Sequence, residues 1–184
     1  MAQRYKGFDV LLRAVRCCLQ IDLELKLVLV GEGQYRAELE ALADSIRVRP
    51  HVTFTGQLPS GPAVRERLDR AHLFVMPSRT EGMPSALIEA MARGLPCIGS
   101  RVGGIPELLP EDDLVVPGDV LNLAGKIRDV ATKPDRMTQM AARNLEKARQ
   151  FHETMLRALR TEFYRYVRQQ TEAWRNTFDH PVKG

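Results

Sequence analysis

Short apolar runs and longer, helically spaced stretches take turns along this chain. Leu25–Val30, Val52-Thr53-Phe54, Leu73–Met76, Cys97–Ser100 and Leu114-Val115-Val116 are compact apolar runs bounded by glycine, proline or polar residues. Such runs between turn residues predict buried strands. Between them the apolar positions recur every three or four residues, which gives a helix one apolar face. In residues 7–20, Phe8, Leu11, Leu12 and Val15 share such a face, with Asp9 as an early-turn acid. Gln34–Ile46 and Pro62–Arg70 predict further helices, and Pro106–Leu109 a short helical turn. Asp119 is placed to cap a helix through Val130, and Pro134 to start another ending near Arg149. A long final helix is predicted from about Glu153 to Trp174.

Strands alternating with helices imply an α/β fold, a doubly wound parallel sheet with helices on both faces. In such sheets ligands bind beyond the carboxyl ends of the strands. Gly31-Glu32-Gly33, Gly56, Glu81–Ser85 and Gly103-Gly104 each follow a predicted strand, so they are expected to gather on one edge.

The stretch Pro77–Glu89 concentrates the candidate chemistry. After the Leu73–Met76 run comes a loop holding Ser78, Glu81 and Gly82, then a helix predicted to begin at Pro84 and to close at Gly94. Ala86, Leu87, Ile88, Ala90, Met91 and Ala92 make that helix apolar nearly all round and predict its burial. Two carboxylates interrupt it: Glu81 before the helix, and Glu89 one turn past Ser85. The amides of Gly82, Met83, Ser85 and Ala86 lie at the helix start, where an anion is favoured by about 0.3–1 kcal/mol per charge, more when partly buried. An anion seat with a hydroxyl acceptor on either side complements a phosphorylated sugar. The plainer reading pairs Glu89 with Arg93 at i, i+4 and leaves Glu81 in solvent. Spacing alone does not separate the two.

Composition narrows the class. The 184 residues are enough for a domain with a core, and 44% are hydrophobic. No apolar run approaches the roughly 20 residues of a membrane span, and the N-terminus lacks a secretory pattern. Cys17, Cys18 and Cys97 do not suggest a disulfide framework and point to a reducing cytoplasm. A net charge of +4 fits anionic ligands or the inner face of an anionic membrane, and is too modest to argue for nucleic acid. Glu111-Asp112-Asp113 reads as a polar turn; no metal is expected.

With these residues laid out, the chain resembles the C-terminal, donor-binding domain of a family 4 retaining glycosyltransferase, half of the two-domain GT-B architecture. The resemblance rests on Lys6-Gly7-Phe8-Asp9-Val10-Leu11-Leu12, Val30-Gly31-Glu32-Gly33, Phe54-Thr55-Gly56, Pro77-Ser78 with Glu81-Gly82-Met83-Pro84, Glu89–Pro96 and Gly103–Leu108. The match covers about residues 6–130, with these motifs in order. The resemblance implies a Rossmann-like domain that binds a nucleotide-diphosphate sugar and takes part in transferring a hexose with retention. It implies no protein nucleophile and no metal cofactor, with the acceptor attacking from the leaving-group side. By position, Glu81 is similar to the glutamate on the transferred sugar, Glu89 to the one on the ribose, and Lys6 to the lysine that neutralises the departing diphosphate. The segment Gly82-Met83-Pro84-Ser85 would face the sugar and diphosphate. Gly31 and Gly33 would let the chain pass close to the nucleotide, and Gly56, Gln57 and Leu58 match the loop beside the base.

Two departures follow. The family's N-terminal acceptor-binding domain has no counterpart in this sequence, so a partner domain in trans or a homo-oligomer is implied. The family's first strand and its diphosphate-binding arginine would fall at or before Met1; Arg4 lies near that position at a different spacing. A non-catalytic nucleotide-sugar-binding module acting through a partner is the alternative. Residues 1–150 are expected to form the nucleotide-sugar domain and 151–184 a helix and tail. On that helix Leu156, Leu159, Phe163, Tyr166, Val167 and Trp174 form a stripe, with Arg157, Arg160, Arg165, Arg168 and Arg175 largely around it. It could fold on its own domain, pair with another chain or contact a membrane surface peripherally.

Overall fold

The computed structural model describes residues 4–178, with side chains through Arg175. The chain divides into two compact units, 1–148 and 149–184.

The first unit alternates strand and helix as the apolar pattern predicts. In order come α1 (Phe8–Leu19), β1 (Leu27–Val30), α2 (Arg36–Ser45), β2 (Val52–Gly56), α3 (Pro62–Asp69), β3 (Phe74–Met76), α4 (Ser85–Ala92), β4 (Cys97–Ser100), α5 (Ile105–Leu108), β5 (Leu114–Val115), α6 (Val120–Ala131) and α7 (Pro134–Arg149). All strand pairs are parallel. They form two sheets, β1-β2 and β3-β4-β5, rather than one hydrogen-bonded sheet. One core joins them. Leu29 of β1, Val52 of β2, Ile98 of β4 and Val115 of β5 pack in the same cluster as Leu11, Leu12 and Val15 of α1 and Leu123, Ile127 and Val130 of α6. Helix α1 packs against both α6 and α2, so burial, not a backbone ladder, carries the join.

Local chemistry explains the ends. Asp119 caps α6 as expected, its Oδ1 accepting from the Asn122 amide at 2.9 Å. Pro84 does not begin α4; with ψ 106° it is the extended N-cap, and Ser85 is the first helical residue. Nor is α4 buried all round. Leu87, Ala90 and Met91 are buried, while Ser85, Ala86, Glu89 and Ala92 form an exposed face. Alanine is small enough to sit on either side, so an alanine-rich pattern overstates burial.

The acidic turn at 111–113 is also not wholly polar surface. Asp113 is 2% exposed and pairs with Arg136 and Arg143 of α7. The neighbouring Asn144, fully buried, donates from Nδ2 to the Leu95 carbonyl at 2.8 Å. These bonds fasten α7 to the segments before β4 and β5.

The cysteines are free thiols. Burial pushes the Cys18 thiol up to about 11 and raises that of Cys97 further. Only Cys17 is partly accessible. Iodoacetamide at pH 8 is therefore expected to label Cys17 alone in the native chain, and all three thiols after denaturation; mass spectrometry of tryptic peptides reads this directly.

The second unit carries α8 (Glu153–Phe178). Leu159, Phe163 and Tyr166 of its apolar stripe are each more than half exposed. Its arginines are partly engaged along the helix, Arg157 with Glu153 and Arg168 with Glu172, both at 2.8 Å. Among the described residues no helix is long and apolar enough to cross a membrane.

Candidate functional site

The segment after β3 is built by short contacts to two other parts of the chain. Glu81 Oε1 accepts from Lys6 Nζ at 2.6 Å and from Ser78 Oγ at 2.7 Å. The Glu81 side chain is only 8% exposed and Lys6 35%, so this pair is part-buried rather than solvated. The plain reading of Glu81 as a residue left in solvent thus does not hold, and Lys6 is not a free surface charge. Ser78, 1% exposed, is a third member that the spacing does not single out.

On the other side the loop after β4 lies directly against the same backbone. Gly104 donates its amide to the Gly82 carbonyl at 2.9 Å. Gly103 has φ +51°, and a Cβ there would fall 1.8 Å from the Glu81 carbonyl oxygen. Gly103-Gly104 is therefore more than a tight turn: glycine is what lets the two loops touch.

The loop leading into the helix borders open space at Gly82. A Cβ added at Gly82 would meet nothing within 4 Å. The amides of Leu87 and Ile88 turn back to the Pro84 carbonyl, at 3.1 and 3.3 Å. Those of Ser85 and Ala86 have no earlier helical carbonyl to bond. Pro84 supplies no side-chain cap, so no side chain covers the positive end of α4. Glu89 lies one turn on, exposed on the Ser85 side of the helix. It does not pair with Arg93, which binds Asp69 at 2.5 Å.

A second cluster forms at the ends of β1 and β2. The Gly31 amide donates to the Gly56 carbonyl at 2.8 Å. Gly31, Gly33 and Gly56 all have positive φ, at 129°, 145° and 71°. A Cβ at Gly56 would sit 3.2 Å from Glu32 Oε2, and Glu32 in turn pairs with Arg36 at 2.6 Å. Gln57 is exposed and Leu58 half-buried beyond it. No hydrogen bond or ion pair between described residues joins this cluster to Glu81.

Two further residues organise the first cluster. The Arg79 guanidinium forks onto Asp9, Nη1 to Oδ1 at 2.9 Å and Nη2 to Oδ2 at 2.7 Å. Arg79 beside it holds the Asp9 carboxyl below its ordinary range. The pair's contribution is thus complete above the ordinary carboxylate value near 3.9 and is lost as pH falls through the lowered one. In the sequence Asp9 shows only as an early-turn acid. Seventy positions separate it from Arg79, and no local signal announces such a pair. Arg4 goes elsewhere, to Glu38 at 2.8 Å and over the Tyr35 ring.

Among the described residues no three His, Cys, Asp or Glu side chains cluster as metal ligands would. What the geometry offers is a lysine bonded to a part-buried carboxylate, a helix start without a side-chain cap, and a second, exposed carboxylate one turn into that helix.

Comparison with known proteins identifies the family. The family model described as glycosyl transferases group 1 matches residues 1–133. Among curated proteins, the chain is 37% identical over 111 residues to a sulfoquinovosyl transferase of Arabidopsis thaliana, covering 57% of this chain and 21% of that protein. It is 34% identical over 156 residues to a GDP-mannose-dependent alpha-(1-6)-phosphatidylinositol monomannoside mannosyltransferase of Mycobacterium tuberculosis, covering 77% of this chain and 39% of that one. The chain thus spans well under half the length of these relatives. Among solved structures, sucrose-phosphate synthase from Thermosynechococcus elongatus superposes with a TM-score of 0.78 at 29% identity, over 93% of this chain and 44% of that one. Anabaena HepE, solved with UDP-glucose, shares the fold with a TM-score of 0.75 at 20% identity, over 86% and 46%. On the match over residues 1–133, this chain belongs to the group 1 glycosyltransferases.

Proposed function

We propose that the first unit is the donor-binding half of a retaining hexosyltransferase and takes a nucleotide-diphosphate sugar. The observation that carries this reading is the Lys6–Glu81–Ser78 set lying beside the open start of α4. Glycosyl transfer requires the diphosphate charge to be stabilised as the sugar–phosphate bond breaks, and fixed donors in a desolvated site do this well. Lys6 supplies a positive charge, and the amides of Gly82, Met83 and Ser85 supply dipoles. Glu81 accepts from the hydroxyls of the transferred sugar. Glu89, exposed and with no ion pair to another described residue, accepts from the ribose hydroxyls. Gly31, Gly33 and Gly56 admit the nucleotide close to the backbone, with Gln57 and Leu58 beside the base.

In this reading the Lys6 ammonium and the amides replace a metal at the diphosphate. The acceptor is held by a partner domain, and the departing diphosphate receives the acceptor's proton on its own side. Relatives that act with GDP-mannose and structures solved with UDP-glucose make both bases reasonable probes.

The test is calorimetric titration with UDP-glucose and GDP-mannose, in EDTA and in magnesium. Binding of one donor in both buffers is expected; no heat with either donor overturns the reading. Gly82→Ala sharpens the test. Its Cβ enters empty space, so the thermal midpoint is expected to hold within about 2 °C while donor affinity falls about tenfold or more. An unchanged affinity would mean that the space is not the seat.

A further inference from the structure

One residue, Arg79, makes most of the hydrogen bonds that tie the chain around Lys6 to the loop carrying Glu81. Arg79 donates its backbone amide to the Tyr5 carbonyl at 2.6 Å and Nη1 to the Arg4 carbonyl at 3.1 Å. Its fork takes both oxygens of Asp9. The bonds therefore reach Lys6 from both sides, residues 4 and 5 before it and residue 9 after it. A second restraint is steric. Gly7 has φ +69°, and a Cβ there would fall 2.0 Å from the Pro77 carbonyl oxygen. Two residues beyond Arg79, Glu81 Oε1 receives Lys6 Nζ.

This is more than packing requires. Asp9 and Arg79 are each about 40% exposed, and pairs at that exposure add little to stability. A bidentate fork does fix direction, because both carboxylate oxygens and both terminal nitrogens are committed. An ammonium on a flexible four-carbon stem is poorly aimed unless its backbone is held.

We propose that Asp9 and Arg79 form a positioning clamp that sets Lys6 against the donor's diphosphate, and that neither of them touches the donor. The proposal rests on the reading of Lys6 as a diphosphate contact. The clamp lowers the cost of ordering Lys6 before the ligand arrives. Removing it leaves Lys6 present but badly placed. A lysine at position 79 keeps the charge and loses the fork.

A double-mutant cycle on the full chain tests this, with UDP and GDP as probes and the better-bound one carried forward. Arg79→Ala is expected to weaken the nucleotide about tenfold, and Arg79→Lys by an intermediate factor. In a Lys6→Ala background the Arg79→Ala effect is expected to vanish, because the clamp acts only through Lys6. Equal losses in both backgrounds would mean that Arg79 acts independently of Lys6, and the proposal falls. Hydrogen exchange at the amides of residues 5–10 gives a readout that needs no ligand. Arg79→Ala and Asp9→Asn should each speed exchange there while global unfolding stays put; unchanged exchange overturns the clamp. If neither UDP nor GDP binds the wild type, the donor reading fails by itself, and exchange still decides whether the clamp exists.

Discussion

Glu81→Gln is expected to weaken a nucleotide sugar about thirtyfold while leaving the free nucleoside diphosphate within about threefold. A hydrogen bond to a charged group contributes roughly 1.5–3 kcal/mol, and about 2 kcal/mol corresponds to that factor. The selectivity follows from how the two carboxylate oxygens are used. Oε1 is taken by Lys6 and Ser78. Oε2 accepts from none of the described residues, and in the donor reading it accepts from a sugar hydroxyl. Glutamine keeps the shape and loses the charge that balances Lys6. Lys6 then loses the carboxylate that neutralises it while Asp9 and Arg79 still hold its backbone, so the free nucleotide suffers little. Paired titrations with UDP-glucose and UDP, or the guanosine pair, measure the difference. Equal losses for both ligands would remove Glu81 from sugar recognition and make it only a support for Lys6.

Gly103→Ala is expected to destabilise the first unit by about 3 kcal/mol or more and to lower its thermal midpoint by about 6–12 °C. A left-handed φ of +51° strains any Cβ. The larger cost is steric, because the added carbon meets the Glu81 carbonyl at 1.8 Å. That is backbone against backbone, so no rotamer relieves it. One loop must retreat, and the Gly104–Gly82 hydrogen bond goes with it. Donor binding is expected to fall further than stability alone explains, since Glu81 and Gly82 shift together. Gly125→Ala in α6 is the control. Nothing lies within 4 Å of its Cβ position, and alanine in a helix interior is worth up to about 1 kcal/mol over glycine. Circular dichroism melts of the two variants should therefore move in opposite directions. A Gly103→Ala chain that melts with the wild type would show that the two loops are not held together.

Much of this architecture is legible in the residue pattern. The apolar run Cys97–Ser100 is β4 to the residue, and Leu73–Met76 overshoots β3 by one. The signals there are local: apolar runs stopped by proline and glycine. The division of the strands into two sheets is not legible, because parallel pairing is decided between segments far apart in sequence. The buried face of α4 is not legible either, because alanine carries no information about which side meets the core. At the site, Glu81 and Lys6 are visible through motif resemblance, but their direct contact is not. Asp9 and Arg79 pair across seventy positions, which only the fold brings close, and Ser78 bonds Glu81 three residues on without any pattern that marks it. Asp113 looks like surface because two acids precede it, and its arginine partners lie on a helix more than twenty residues away.

The chain has one tryptophan, Trp174, and it belongs to the second unit. Of the four tyrosines, Tyr5 and Tyr35 fall in the first unit and Tyr164 and Tyr166 in α8. Emission excited at 295 nm therefore originates wholly in the helix that holds the arginines. On the proposed donor reading, an experimenter following only that signal would be watching the second unit while a donor was added to the first.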